Sequence, residues 1–447
     1  MLNTVAIHTL GCKLNFSESS TIGQQFLTNG FSVVDFGSSA DVYVFNTCTV
    51  TENAERECRQ LIRKALRTNP DAYVIVTGCY AQLRPEEIAS IEGVNAVLGS
   101  TEKFKLFSIL NDFKSSNLAC IHVGSLTGSH EFGDASSTNA DNRTRAYFKI
   151  QDGCDYNCSF CTIPQARGKS RSDTIQAVID RAIMIAEKGV KEIVLTGVNI
   201  GDFKGDDPSG DANGYHFIDL MKALEEESSV PRFRISSIEP NLCSDAVIEQ
   251  VSLSSKFMPH FHMPLQSGNN KQLAMMRRRY RRELYEDRVN KIRKLMPHAC
   301  IGADVIVGFP GETAADFDIT AQFIKDLRVD YLHVFTYSER ANTLALEMHG
   351  VVPMEERRQR NELLRAISSR KQSDFYRRHL STTREVLLER GKSKETLLGF
   401  TDNYIKVEVT LSDAENHVNQ LYSILLREIV PDGLVKGSLS LEVKSTG

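Results

Sequence analysis

Two series of short apolar runs alternating with helical stretches constrain this chain more than any other feature. In the first series, NTVAIHT (3–9), DVYVFN (41–46) and AYVIVTG (72–78) have strand length, with helical patterns over 18–29 and up to about residue 69 between them. That rhythm predicts a small parallel α/β domain, whose ligands sit beyond the carboxyl ends of its strands. The second series runs through AYFKIQ (146–151), KEIVLTG (191–197), RFRISSI (232–238), HFHMP (260–264), GADVIVGF (302–309) and YLHVFTY (331–337). Helical patterns at 173–188, 216–227, 244–252, 281–295 and 313–327 separate these runs. Six strands alternating with helices predict a partial or distorted barrel, with an open sheet as the alternative that periodicity leaves standing. The Gly-, Ser-, Asn- and Asp-rich segment 121–144 reads as a linker or surface excursion. After a charged helix at 353–380, REVLLER, ETLLGFTDNYIKVEV and SILLREIV predict a small all-β, barrel-like module.

The chain of 447 residues shows no N-terminal signal peptide, and no apolar run approaches the roughly 20 residues that span a bilayer. A cytoplasmic protein is expected. In that compartment the ten cysteines point to metal or catalytic use rather than a disulfide framework. The net charge of −4 argues against indiscriminate coating of nucleic acid and leaves room for local basic patches.

Cys154, Cys158 and Cys161 form a CxxxCxxC loop leaving the first strand of the second series. Zinc sites usually pair two CxxC units or add a fourth ligand nearby, so an iron–sulfur site is favoured, with zinc or no metal as alternatives. Three ligands on a four-iron cluster leave one iron open. Cys12, Cys48 and Cys79 follow the three strand candidates of the first series, at equivalent ends. Their spacing makes no local motif, so three unrelated buried cysteines is the competing reading.

The CxxxCxxC loop, with Phe160 before its last cysteine, resembles that of the radical S-adenosylmethionine (SAM) enzymes. The strings GCKLN, NTCTVT and TGCYAQ around the other three cysteines resemble the radical SAM methylthiotransferases, and the likeness covers essentially the whole chain. The resemblance implies an N-terminal domain (1–120) in which Cys12, Cys48 and Cys79 hold an auxiliary [4Fe-4S] cluster that carries sulfur. It implies a linker (121–144), a radical SAM domain with a helical extension (145–375), and a TRAM-like RNA-binding β domain (376–447). In the central domain Cys154, Cys158 and Cys161 would hold a second [4Fe-4S] cluster, whose open iron binds SAM, the source of a 5′-deoxyadenosyl radical and of the methyl group.

Further candidates lie at strand ends. Phe160, Thr196, Gly197 and Asn199, then Ser236, Ser237 and Glu239, and then His262 and Gln266, are expected to line one barrel rim and contact cofactor or substrate. His262 has a satisfied core histidine as its alternative. Arg167 reads either as a contact to a carboxylate or phosphate or as a solvated arginine, and Asp304 either as pocket lining or as a satisfied carboxylate. Arg277, Arg278, Arg279, Arg281 and Arg282 surround Tyr280, a pattern expected to combine phosphate contacts with stacking on an unpaired base. Arg56, Arg59, Arg63 and Lys64 read as a solvated helix face, and Cys58, Cys120, Cys243 and Cys300 as structural.

RAYFKIQDGCDYNCSFCTIPQARG resembles the bacterial threonylcarbamoyladenosine branch of the family, and GCKLN stands where isopentenyladenosine enzymes typically show GCQMN. The expected reaction is methylthiolation at C2 of N6-threonylcarbamoyladenosine (t6A) at tRNA position 37. The expected partners are that tRNA and an electron donor such as flavodoxin or ferredoxin, with no membrane and no assignable sulfur source. The alternatives are the same chemistry on isopentenyladenosine or on an aspartate of ribosomal protein S12, and a non-catalytic metal-containing RNA-binding protein.

Overall fold

The computed structural model describes residues 3–48, 52–110, 113, 119–126, 132–137, 144–205 and 214–440, and for 52–55 the backbone alone. Parts of the polar segment at 121–144 lie outside these residues. The N-terminal unit is a parallel sheet of β1 (Thr4–Thr9), β2 (Ser32–Val34), β3 (Val42–Thr47), β4 (Tyr73–Gly78), β5 (Ala96–Leu98) and β6 (Cys120–His122), ordered β2-β1-β3-β4-β5-β6. Helices α1 (Lys13–Thr28), α2 (Glu52–Thr68) and the short α3 (Cys79–Leu83) follow β1, β3 and β4. Val42 through Thr47 and Tyr73 through Gly78 are buried throughout, as strands covered on both faces require. Helix α1 starts five residues before the expected position, because Cys12 is its N-cap residue.

The central unit holds the six expected strands. They are β7 (Arg145–Lys149), β8 (Glu192–Thr196), β9 (Arg232–Ile235), β10 (His260–Gln266), β11 (Cys300–Val307) and β12 (Tyr331–Thr336). They form two parallel three-stranded sheets, β7-β8-β9 and β10-β11-β12, which make an arc rather than one continuous ladder. A backbone bridge from Phe233 to Phe257, just ahead of β10, and Ile238 N–H donating to the His262 carbonyl at 3.0 Å link them. The loop after β7 carries the three clustered cysteines and ends in α4 (Ile163–Arg167); helices α5 (Ile175–Glu187), α6 (Phe217–Glu227), α7 (Asp245–Leu253), α8 (Arg282–Leu295) and α9 (Ala314–Asp326) pack outside.

Alternation along these strands sorts their side chains. Ile193, Leu195, Phe233, Ile235, Phe261, Met263, Ile301 and Ala303 join the apolar core under the helices. Their neighbours Glu192, Arg232, Arg234, His260, His262 and Asp304 therefore point to the concave side. The interior of the arc is polar.

Helix α10 (Met354–His379) runs along β12 and leads into a closed antiparallel-rich barrel of β13 (Thr383–Arg390), β14 (Thr396–Thr401), β15 (Lys406–Thr410), β16 (Leu421–Ile429) and β17 (Val435–Leu439). This barrel seals the amino ends of the central strands. Arg232 donates to Glu385 O at 2.8 Å and pairs with its carboxylate at 3.0 Å; Arg234 donates to the carbonyls of Thr401 and Asp402; Arg145 pairs with Glu389 at 2.8 Å. Tyr404 stacks on His260 with centroids 4.0 Å apart. No helix among the described residues is long and apolar enough to cross a membrane.

Candidate active site

The loop after β7 folds back on itself so that Cys154, Cys158 and Cys161 face one another. Each sulfur accepts one hydrogen bond. Tyr156 N–H donates to Cys154 Sγ and Ile163 N–H to Cys161 Sγ, both at 3.4 Å, and Arg278 Nη1 donates to Cys158 Sγ at 3.0 Å. Burial pushes the Cys154 thiol up to about 12 and the Cys161 thiol to about 11, and the Cys158 thiol is also raised. A metal cation bound by these sulfurs would displace their protons.

The second cysteine group sits at the carboxyl ends of β1, β3 and β4, which are neighbours in the sheet. Cys48 directly follows β3, Cys79 opens α3 and Cys12 caps α1. Two glycines allow this close approach. Gly11, at φ +105°, would place a Cβ 2.6 Å from Cys48 Cβ; Gly78, at φ +97°, would place one 2.4 Å from the Thr47 carbonyl oxygen. Only glycine fits either position. Asn15 fastens the loops together, donating from Nδ2 to the Leu10 and Thr47 carbonyls at 2.8 and 3.0 Å. Both cysteine groups suit a soft, thiolate-bound cluster with one ligand position left open.

A buried charge network joins the two groups. Arg167, at the end of α4, pairs through Nη1 with Glu18 at 2.9 Å and Asp152 at 3.1 Å, and donates from Nη2 to Asn15 Oδ1 at 2.6 Å. Lys103 and Lys149 reach the same Glu18 carboxylate at 2.6 and 3.4 Å. Burial opposes ionisation of Glu18, but the three cations outweigh it and hold its carboxyl well below the usual range. Arg167 and Lys103 also face Cys79, in the auxiliary group. Of the two readings of Arg167, contact with a carboxylate is the one the structure shows, the carboxylates being Glu18 and Asp152 of the chain itself, and the solvated arginine is corrected. Glu18, Asp152, Lys103 and Lys149 escaped sequence reasoning, since a charged residue in a helix or strand carries no mark of burial.

At the open rim the structure gathers several expected residues. Thr196 Oγ1, Asn199 Oδ1 and Gln266 Oε1 are buried without a hydrogen-bond partner among the described residues, in the manner of atoms awaiting a polar ligand. Gln266 also holds a positive φ of 63°, at a register shift in β10. A Cβ on Gly197 would crowd Gln151 Oε1 at 2.9 Å, and that amide oxygen accepts from Asn199 N–H at 2.8 Å. Ser236 and Ser237 are half-buried just beyond β9. Phe160 packs edge-on against Phe309, anchoring the cysteine loop. Glu239 forms an ion pair with Arg278, which ties it to Cys158; burial still leaves its carboxyl above the usual value.

His262 lies deeper. Its Nε2 is 2.8 Å from Asp304 and its Nδ1 3.1 Å from the Tyr331 hydroxyl, while His333 approaches Asp304 from the other side at 3.3 Å. Of its two readings, Asp304 fits the satisfied carboxylate. The basic run splits into two roles. Tyr280 is buried and donates to the Pro264 and Leu265 carbonyls, so it is not exposed for base stacking, and Arg278 is buried at the cysteine loop. Arg282 packs over Phe323, while Arg277, Arg279 and Arg281 remain on the surface. On α2, Arg59 pairs with Glu87, so that face is less fully solvated than its charge pattern implies.

Comparisons with known proteins agree with this geometry. Residues 148–324 match the radical SAM superfamily, and residues 4–99 match a family described as uncharacterized protein family UPF0004. The chain is 40% identical over 409 residues to the threonylcarbamoyladenosine tRNA methylthiotransferase MtaB of Bacillus subtilis, with 90% of each chain covered. It is 31% identical to the tRNA-2-methylthio-N(6)-dimethylallyladenosine synthase of Akkermansia muciniphila, covering 87% of this chain and 88% of that one. Among solved structures, the radical S-adenosylmethionine methyltransferase TsrM from Kitasatospora setae shares the fold, with a TM-score of 0.55, 15% identity and 77% of each chain covered. The six-strand arc and its cysteine loop define a radical SAM enzyme. More narrowly, the chain belongs to the radical SAM methylthiotransferase family, on the side of its tRNA-modifying, MtaB-like members.

Proposed function

We propose that this protein methylthiolates C2 of t6A at position 37 of tRNA. The observation that carries the reading is the pair of three-cysteine groups, at neighbouring strand ends and on the barrel loop, joined through Arg167, in a chain 40% identical to a threonylcarbamoyladenosine methylthiotransferase. In this reading Cys154, Cys158 and Cys161 hold one [4Fe-4S] cluster and Cys12, Cys48 and Cys79 the other. Bound there, the two clusters and SAM would supply the electron, the hydrogen-abstracting radical, the methyl group and the sulfur.

The chain's own residues position the reactants. Thr196, Asn199 and Gln266 offer polar atoms to SAM at the rim, with the Gly197 turn admitting it closely. Arg278 orients the cysteine loop by holding both Cys158 and Glu239. Arg167, Lys103 and Lys149 place positive charge beside the auxiliary group, which favours an anionic cluster there. The functional division is 1–120 for sulfur donation, 145–375 for radical generation and 376–447 for tRNA binding. The exposed Arg277, Arg279 and Arg281 add phosphate contacts near the rim, where an unstacked loop base can enter. An electron donor such as flavodoxin or ferredoxin completes the system. Dimethylallyladenosine-37 is the second reading, favoured by the similarity to the Akkermansia enzyme.

Nucleoside analysis of digested tRNA, from cells with and without the gene, tests the assignment. Loss of 2-methylthio-t6A with accumulation of t6A supports it. Loss of the methylthio form of isopentenyladenosine instead moves the assignment to the second reading.

A further inference from the structure

Strands β10, β11 and β12 each turn one metal-ligating side chain to the concave side of the arc, at neighbouring positions. Asp304 lies opposite His333 in the register of β11 and β12, and His262 stands two residues before Pro264, the register partner of Asp304 on β10. His262 Nε2 is 2.8 Å from Asp304 Oδ1, and His333 Nδ1 is 3.3 Å from the same oxygen. The three ligand atoms all lie within 4.8 Å of one another. They mark a compact triangle, not a relay passing through the two ends of a carboxylate. The two imidazole rings are tilted by 34° with centroids 5.0 Å apart. The second nitrogen of His262, Nδ1, is 3.1 Å from the Tyr331 hydroxyl, which His260 Nε2 meets at 3.0 Å. Such a contact fixes the direction of a ring, as the outer partner of a metal-bound imidazole does. The His333 side chain is 57% exposed and that of Asp304 24%, so solvent reaches the triangle.

Two atoms bound about 2.0–2.1 Å from one first-row cation stand about 2.9 Å apart at a right angle and about 3.3 Å apart at a tetrahedral angle. The edges of 2.8 and 3.3 Å that meet at Asp304 Oδ1 have those lengths. We propose that His262, Asp304 and His333 form a binding site for a single divalent first-row transition metal, separate from the two cysteine groups. Two imidazoles with one carboxylate suit zinc or ferrous iron, whereas magnesium and calcium prefer a shell of oxygens. With no thiolate in it and a span that suits one ion, the triangle calls for a mononuclear occupant. Three protein ligands leave a coordination position open. That position faces the concave space, where the ion would hold a water or an anionic oxygen of a bound molecule. The inference needs only this geometry and stands apart from the t6A reading.

The test uses the cluster-loaded full chain, kept anaerobic, stripped of loosely held metal on a chelating resin and then given zinc sulfate as the probe. Zinc retained through gel filtration is measured by inductively coupled plasma mass spectrometry, and its ligands by X-ray absorption. Neither readout depends on turnover. The wild type is expected to keep one zinc per chain, in a shell of nitrogen and oxygen at about 2.0–2.1 Å. Asp304→Asn and His333→Ala are expected to lose it. Tyr331→Phe is expected to hold zinc about tenfold to a hundredfold more weakly in competition with a chromogenic chelator, the usual cost of an outer partner. His333→Cys should keep the ion and add one sulfur to its shell at about 2.3 Å, which a merely structural histidine would not produce. Loss of all zinc from the wild type on gel filtration would mean an adventitious ion only and overturn the site. Sulfur in the wild-type shell would assign the zinc to a cysteine and overturn it equally, as would wild-type zinc retention by His333→Ala. Unchanged circular dichroism and iron content in the His333 variants, whose side chain is exposed, ensure that lost zinc is not read from a misfolded chain.

Discussion

Arg167 Nη1 lies 2.9 Å from Glu18 Oε1, and this buried contact joins the loop of Cys154, Cys158 and Cys161 to the helix capped by Cys12. It fixes the relation between two cysteine groups that lie 75 residues apart in the sequence, from Cys79 to Cys154. Removing the arginine would leave Glu18 and Asp152 short of compensation in a buried site. Arg167→Met is expected to cost about 3–5 kcal/mol. Urea unfolding of the anaerobic protein checks the cost. An unchanged midpoint would show that the two units do not depend on this link.

Acid should loosen the contact between the central strands and the terminal barrel. Burial alone would raise the Glu192 carboxyl, but Arg234 and its neighbours outweigh burial and bring it down to about 2. A carboxyl depressed in the folded state contributes stability that is complete above its ordinary range and is lost as pH falls toward the folded value. The wild type should therefore lose stability between about pH 4.5 and pH 2 more steeply than Glu192→Gln. Parallel pH–stability curves for the two proteins would contradict this.

Arg278 is expected to tune the cysteine loop it touches. Its guanidinium donates to Cys158 Sγ at 3.0 Å, and positive charge and hydrogen bonds to sulfur favour the reduced, more negative state of a bound cluster. Arg278→Met should shift that cluster's reduction potential to more negative values. A redox titration followed by electron paramagnetic resonance reads the shift, and a move to more positive values would reverse the assigned role.

The basic run should divide experimentally as it does structurally. Arg277→Gln with Arg281→Gln removes two surface charges and should lower the salt slope of tRNA binding by up to about 2, one for each phosphate left unneutralised. Tyr280→Phe strips a hydroxyl that serves the Pro264 and Leu265 carbonyls, and should lower stability while leaving the affinity for tRNA unchanged. Lost affinity for tRNA with unchanged stability would contradict the structural role of this hydroxyl.

The strands of the arc and the two groups of cysteines were legible in the sequence because apolar runs and thiols declare themselves. Val42–Thr47 and Cys300–Val307 are near-continuous apolar runs, and CxxxCxxC is a local pattern. Strands β2, β5 and β6 were not legible: each is three residues long, too short to show a period, and exists because a longer neighbour offers it a ladder. The charged residues were the least readable. Arg167, Arg278 and Arg281 sit in similar polar strings, yet the first two are buried at the site and the third lies at the surface. Only tertiary packing separates them.

The central claim is tested most directly by one anaerobic incubation of the reconstituted protein with SAM, dithionite and tRNA bearing t6A. The account predicts 2-methylthio-t6A and 5′-deoxyadenosine forming together, with the product lost when Cys12, Cys48 and Cys79 are replaced by alanine. Formation of 5′-deoxyadenosine without any methylthiolated nucleoside by the wild-type protein would contradict it.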